Sequence, residues 1–219
     1  MENEVFTYDQ LIIAVGSVPL KPPIPGINRD GLFALRNLQD MDDIVAWLNG
    51  LPVGGEKHHA VVAGAGFVGL EMVEQLMRRG LDVTVVEMLP QVLGPLDVEM
   101  AAIIEEDMKK KGVSVVTGDA IEEFLPAAGE EYGTIVKLKS GKMLPPAAVT
   151  ILGMGVRPDT QVIREAGIEC GPRGHIIVDD YLRTNVPDVW AAGDAVEVRN
   201  PIVGNEEKWA VPLAGVSRC

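Results

Sequence analysis

The sequence predicts an α/β chain organised around a parallel sheet. Three observations carry this. Buried-strand runs alternate with helical periodicity through the centre, a glycine-rich turn joins one such strand to its helix, and after residue 118 the pattern changes to short antiparallel strands.

Taken in order, "YDQLIIAVGSVPL" (8–20) holds a short apolar core from Leu11 to Val15 that ends at Gly16, the pattern of a buried strand leaving its sheet. "KPPIPG" (21–26) follows, whose prolines forbid both a helix interior and a central strand, so the chain is expected to cross between domains here. "NLQDMDDIVAWLNG" (37–50) sets Met41, Ile44, Val45 and Leu48 at helical spacing, with Asn37 or Asp40 as cap and Gly50 as stop. "HAVVAGAGFVG" (59–69) reads as a strand entering a turn. "FVGLEMVEQLMRRG" (67–80) is its helix, and "LDVTVVE" (81–87) the next strand. A helix capped by Asp97 and stopped by Gly112 has acids early and lysines late, as the macrodipole favours, and "VSVVTG" follows as a third strand. "AIEEFLP", "GTIVKLKS" and "KMLPP" read as an antiparallel meander with a tight turn at Ser140 and Gly141. "AVTILGMG" (148–155) is again a buried strand, "DTQVIREAG" a short helix capped by Asp159 or Thr160, and "GHIIVDDYLRT" and "DVWAAGD" two final strands.

Composition narrows the function. With 219 residues, 47% of them hydrophobic, the chain can bury one large or two modest cores. A net charge of −13 and the lack of a basic stripe argue against nucleic acid. No apolar run approaches the ~20 residues of a membrane span, and Met1 is followed by acids rather than a basic leader, so no membrane role and a cytoplasmic location are expected. Cys170 and Cys219 form no CxxC and suggest neither a disulfide framework nor a zinc site. His58 and His59 would point to opposite faces of a strand, which is poor geometry for a shared metal, and His175 is isolated; no metal is expected.

The most specific signal is Gly64, Gly66 and Gly69, a G-x-G-x-x-G between a strand and a helix inside a strand-helix-strand unit. Gly64 permits the tight turn, Gly66 lets a pyrophosphate approach the backbone, and Gly69 lets the helix sit close to the strand. The amides at the helix start, Phe67 and Val68 among them, face the phosphates, so an anionic protein can hold an anionic dinucleotide without a basic patch. Glu87 ends the following strand, 18 residues beyond Gly69, where its carboxylate can accept both ribose hydroxyls. Met88, Leu89 and Pro90 come next, with no arginine to receive a 2′-phosphate, so NADH is expected over NADPH.

Together "YDQLIIAVGS", "PPIPG", "VVAGAGFVGLE", "LGMGVRPDT", "GHIIVDDYLRT" and "TNVPDVWAAGD" resemble, in order, the FAD-dependent pyridine nucleotide-disulfide oxidoreductase family. The resemblance implies a Rossmann-like NAD(P)-binding domain, a parallel sheet with an antiparallel meander, plus a partial FAD-binding domain of the same type. It implies that Asp194, with Gly193 before it, holds the ribityl chain of FAD, and that Gly16 closes the family's other short FAD motif. Glu71 stands where the family often has a glutamate near the nicotinamide, or equally is an acid near a helix start. The loop from Gly153 to Pro158, with Gly155, is similar to the segment that returns toward the flavin, or equally its glycines serve only as turn residues. The ending "WAVPLAG" resembles the branch of coenzyme A disulfide reductases, NADH oxidases and polysulfide reductases, which work with one redox cysteine near the flavin.

That branch begins with a FAD glycine motif and redox cysteine upstream of "YDQLIIA". The resemblance therefore implies a fragment of a homodimeric parent: 1–33 a partial FAD-binding segment, 34–150 the NADH-binding domain and 151–219 a second partial FAD-binding segment. No catalytic residue is expected in this chain, and the isolated chain is expected to be colourless and inactive. In the parent, NADH would reduce FAD, and electrons would pass to a disulfide, a polysulfide or oxygen. The alternatives are a non-catalytic NAD-binding or sensing module, and a flavoprotein reductase of the same architecture with a ferredoxin or nitrite reductase partner.

Overall fold

The structure is a computed structural model that describes residues 4–52, 57–127, 133–199 and 208–209. The elements run β1 (Leu11–Ile13), β2 (Ser17–Pro19), β3 (Leu32–Phe33), α1 (Leu38–Gly50), β4 (His59–Ala63), α2 (Phe67–Arg78), β5 (Asp82–Glu87), α3 (Val98–Lys110), β6 (Ser114–Thr117), β7 (Ile121–Pro126), β8 (Thr134–Leu138) and β9 (Val149–Leu152). They continue with β10 (Val156–Pro158), α4 (Gln161–Glu165), β11 (Ile176–Ile177), β12 (Val189–Ala191), a 3-10 turn at Gly193–Ala195, β13 (Val196–Arg199) and β14 (Lys208–Trp209). They form two compact units, one from Pro19 to Gly155 and the other of the residues up to Val18 with those from Val156 onward.

The first unit is a three-layer sandwich. Its sheet has the order β3-β9-β4-β5-β6, with every neighbouring pair parallel. Successive side chains of a strand point to opposite faces, and the apolar residues here divide accordingly. Ala60 and Val62 of β4, Val83 and Val85 of β5, and Val149 and Ile151 of β9 face a layer containing Ile44, Met72, Val73, Leu76, Ala101 and Met108 from the three helices. Val61, Ala63, Val86 and Leu152 face the opposite layer, with Ile121, Phe124, Val136 and Leu138 of the β7–β8 hairpin. A sheet covered on both faces needs continuous apolar strands rather than alternating ones, which is why "AVVA" and "VTVV" read as buried runs.

The helices start and stop for local reasons. Asn37 caps α1 by accepting from the Asp40 amide at 3.0 Å, while the Asp40 carboxylate accepts from the amides of Asn37 and Arg36 at 3.1 and 2.7 Å. Gly50, expected to stop this helix, lies inside it; extended Leu51 is the cap. Trp47 Nε1 donates to the Ala148 carbonyl at 2.8 Å and its ring meets Phe33 edge-on, which fastens α1 to the sheet edge. Asp97 precedes α3 in extended conformation but makes no side-chain cap bond. Behind it, the pairs Lys109–Glu105, Lys110–Glu106 and Lys111–Asp107 run along a solvated face, where solvent screening leaves such pairs little net stability. The third meander strand is reduced to bridges at Met143 and Ala147, because Pro145 and Pro146 between them have no amide to donate.

In the second unit β1 pairs in parallel with β12, β2 pairs with β10, and β13 lies between β11, its parallel partner, and β14, its antiparallel one. Its core joins Ile13, Ile163, Ile168, Ile176, Val189, Ala191, Ala195 and Val196. Strand β1 is shorter than its apolar run, ending at Ile13, and "GHIIVDDYLRT" contributes only the two residues of β11. The unit boundaries fall at 18/19 and 155/156, where the sequence suggested 33/34 and 150/151. The reason is pairing across more than a hundred residues: Leu32 lies opposite Thr150 and Phe33 opposite Ile151, so β3 and all of β9 belong to the central sheet. Of "WAVPLAG", only the backbone of Trp209 is described, and Cys219 lies outside the described residues.

Candidate functional site

The carboxyl ends of parallel strands are where open α/β sheets bind ligands, and the glycine turn lies there, between β4 and α2. Gly64 has φ +104°, a backbone that L side chains rarely adopt, and a Cβ on it would land on the Gly153 carbonyl. A Cβ on Gly69 would land on the Gly64 carbonyl, and one on Gly153 would sit 3.2 Å from the Gly69 Cα. Three backbones therefore meet without side chains between them. Gly153 thus has a packing role at the turn, held by its amide to Ala63 at 2.8 Å. Gly66 differs: its φ is not positive, and nothing lies within 4 Å of a Cβ built there. Its missing side chain leaves open space over the turn.

The amides of the turn are not equivalent. Gly64 N donates to Val86 O at 2.7 Å, extending the β4–β5 ladder, and Ala65 N donates to Glu87 Oε2 at 2.8 Å. Both are spent within the fold. What remains is the first turn of α2, whose amides lack an intrahelical acceptor and which has Gly66 as N-cap with no side-chain bond. Phe67 and Val68 are exposed there and Gly69 is buried. A helix start left bare in this way attracts an anion through its amides and macrodipole.

Glu87, at the end of β5, is half-buried, and its second oxygen accepts from Leu89 N at 2.9 Å. A carboxylate has about four lone-pair sites, so two bonds to backbone leave capacity for two hydroxyls. Met88 and Leu89 beyond it are exposed apolar side chains. Glu71 is exposed in the second turn of α2, outside the first turn where a favourable dipole contribution is concentrated. Gly155 is exposed with φ +99°, and its carbonyl accepts from Leu20 N at 2.9 Å.

The second unit assembles another group at the carboxyl ends of β1 and β12. Ala192 N donates to Ile13 O at 2.9 Å, and Gly193, with φ +83°, then turns the chain into the 3-10 segment that carries Asp194. Gly16, at φ +69°, turns the other strand so that Ser17 Oγ donates to Asp194 Oδ2 at 3.4 Å. A half-buried carboxylate beside a hydroxyl at the strand ends suits a polyhydroxyl ligand.

Sequence reasoning missed Ser17, Ala65 and Leu93. Ser17 directly follows the Gly16 turn, a usable signal. Leu93 donates its amide to Ala65 O at 2.9 Å and has φ +45°, which a leucine gives no reason to expect. His59 bridges Pro145 O at 3.2 Å and Thr84 Oγ1 at 2.9 Å, and burial lowers its pKa below the usual value; desolvation lowers that of His175 too, against the nearby Glu197 carboxylate. Among the described residues, no group of three His, Cys, Asp or Glu is placed to hold a metal, and no helix is long and apolar enough to cross a membrane.

Comparison with known proteins agrees with this architecture. An NADH oxidase of Methanocaldococcus jannaschii is 38% identical over 200 residues, covering 91% of this chain and 42% of that protein. The reduced Bacillus anthracis CoADR-RHD superposes with a TM-score of 0.85 at 40% identity, over 96% of this chain and 36% of that one. The water-forming NADH oxidase of Lactobacillus brevis, solved bound to NADH, gives 0.84 at 29% identity, over 97% and 45%. The chain thus spans less than half the length of these relatives. Residues 1–211 match the family described as pyridine nucleotide-disulphide oxidoreductase, and with the glycine turn and both strand-end groups in their order, this chain belongs to that family.

Proposed function

We propose that the unit from Pro19 to Gly155 binds NADH, as the nicotinamide-dinucleotide portion of an FAD-dependent oxidoreductase. One observation carries this reading: the bare start of α2 lies beside Glu87, whose carboxylate keeps acceptor capacity for a ribose. The first-turn amides of Phe67 and Val68 would hold the diphosphate, Gly66 would give it room, and Glu87 would accept the adenosine 2′- and 3′-hydroxyls. Asp194, with Ser17 beside it, would accept from the flavin's ribityl chain. When bound, the nicotinamide supplies a hydride and the flavin accepts it. This chain's part is to hold them, and electrons would continue to a disulfide, a polysulfide or oxygen.

The same carboxylate sets cofactor choice. A 2′-phosphate placed ~4 Å from it at an effective dielectric near 20 meets about 4 kcal/mol of repulsion before screening, up to roughly a thousandfold in affinity. Titrating the chain with NADH and NADPH tests the reading. NADH should bind much more tightly; equal affinities, an NADPH preference, or no binding at the turn would refute it.

A further inference from the structure

The bonds of Glu87 imply more than ribose binding. Its Oε2 holds Ala65 N at 2.8 Å, and Leu93 N holds Ala65 O at 2.9 Å. Ala65 is fully buried and sits between Gly64 and Gly66, so both its backbone groups are fixed at the centre of the glycine turn. The other carboxylate oxygen holds Leu89 N at 2.9 Å, and Gly118 N closes on Leu89 O at 2.8 Å. Two segments are thus anchored on the turn. One runs from Glu87 to Leu89, and the other ends at Leu93, kept at φ +45°. The peptide after Ala65 leads into the N-cap of α2, so whatever fixes Ala65 also fixes where the first helical amides point.

We propose that Glu87 is a positioning residue for the diphosphate: its carboxylate clamps Ala65 so that the Phe67 and Val68 amides converge on the phosphate oxygens. The proposal rests on the dinucleotide reading and extends it to a part of the ligand that Glu87 does not touch. It makes a distinctive claim. Glu87 carries a negative charge near an anion site, so on electrostatics alone its removal should strengthen binding of a bare anion. If the clamp governs amide geometry, removal should weaken it.

The test uses inorganic pyrophosphate, which has no ribose, and follows the Phe67 and Val68 amides by NMR in the isotope-labelled full chain. Glu87→Ala and Glu87→Gln both remove the charge, but glutamine keeps an oxygen that can accept from Ala65 N. Binding is expected to fall at least about fivefold in E87A and to stay within about twofold of the parent in E87Q. Should E87A fail to fold, Glu87→Met refills the volume without an acceptor and is held to the same criterion. Equal affinities in the two charge-neutral variants, tighter binding in E87A, or no response of the two amides in the parent chain would overturn the clamp. NADH is titrated alongside. A parent chain that binds NADH while the variants respond to pyrophosphate alike sinks the clamp alone; one that binds neither ligand sinks both readings.

Discussion

Replacing Gly64 and Gly66 by alanine, one at a time, separates folding from binding within a single turn. At Gly64 the new methyl meets two penalties. The residue sits at φ +104°, for which a non-glycine residue is strained by about 1–3 kcal/mol, and its Cβ would coincide with the Gly153 carbonyl group, backbone that cannot rotate aside. Clearing that overlap means shifting β9's exit from the turn, and overpacking of this kind costs about 1–3 kcal/mol. The sum is about 2–6 kcal/mol, and with about 2–4 °C lost per kcal/mol in a chain of this size, Tm should fall by roughly 5–20 °C. Gly66→Ala meets nothing within 4 Å and has no positive φ, so its stability should stay within about 0.5 kcal/mol. Its methyl instead occupies the space assigned to the diphosphate, so NADH affinity should fall at least about tenfold, about 1.4 kcal/mol. Urea and thermal unfolding give the first quantity and NADH fluorescence titration the second. A Gly64→Ala protein as stable as its parent, or a Gly66→Ala protein that binds NADH unchanged, would refute the account of the turn.

Three other outcomes are expected. Burial depresses the pKa of His59, so its neutral form belongs to the folded state; the associated stability is complete above about pH 6.5 and drains away as pH falls toward the folded pKa. Urea melts between about pH 5 and 7.5 should show this loss, and His59→Gln should remove the His59 share of it while the share of His175 remains. Asn37→Ala removes half of the capping box at the start of α1 and should cost about 1 kcal/mol by urea unfolding, with Asn37→Ser recovering most of it. Leu76→Ala should cost about 2–5 kcal/mol, because Leu76 is 1% exposed between α2 and the sheet; a loss under about 1 kcal/mol would contradict the packing described.

Much of the central unit could be read directly from the chain. The runs 60–63 and 83–86 are apolar at every or nearly every position, which suits strands covered on both faces, and α2 repeats its buried positions at Gly69, Met72, Val73 and Leu76. The glycine turn was legible for the same reason: steric exclusion acts on the residue itself, so a demanding backbone is written as glycine. Glu87 was legible as the acid at the end of the next strand. These are local constraints, and local constraints leave local marks.

Only tertiary structure decided the rest. Nothing near Leu32 announces its pairing with Thr150, and the boundary between the units followed from that pairing. Gly153 looked like a turn residue, but its place against Gly64 and Gly69 depends on three backbones arriving together. The short strands β11 and β13 depend on register with each other, and the bonds of Glu87 to Ala65 and of Leu93 to the same residue join positions 22 and 28 apart along the chain. Hydrogen bonds between distant backbone groups do not require a particular side chain at the amide end. A leucine can therefore hold a left-handed conformation, and an alanine can fasten a glycine turn through its backbone, with no mark in the sequence.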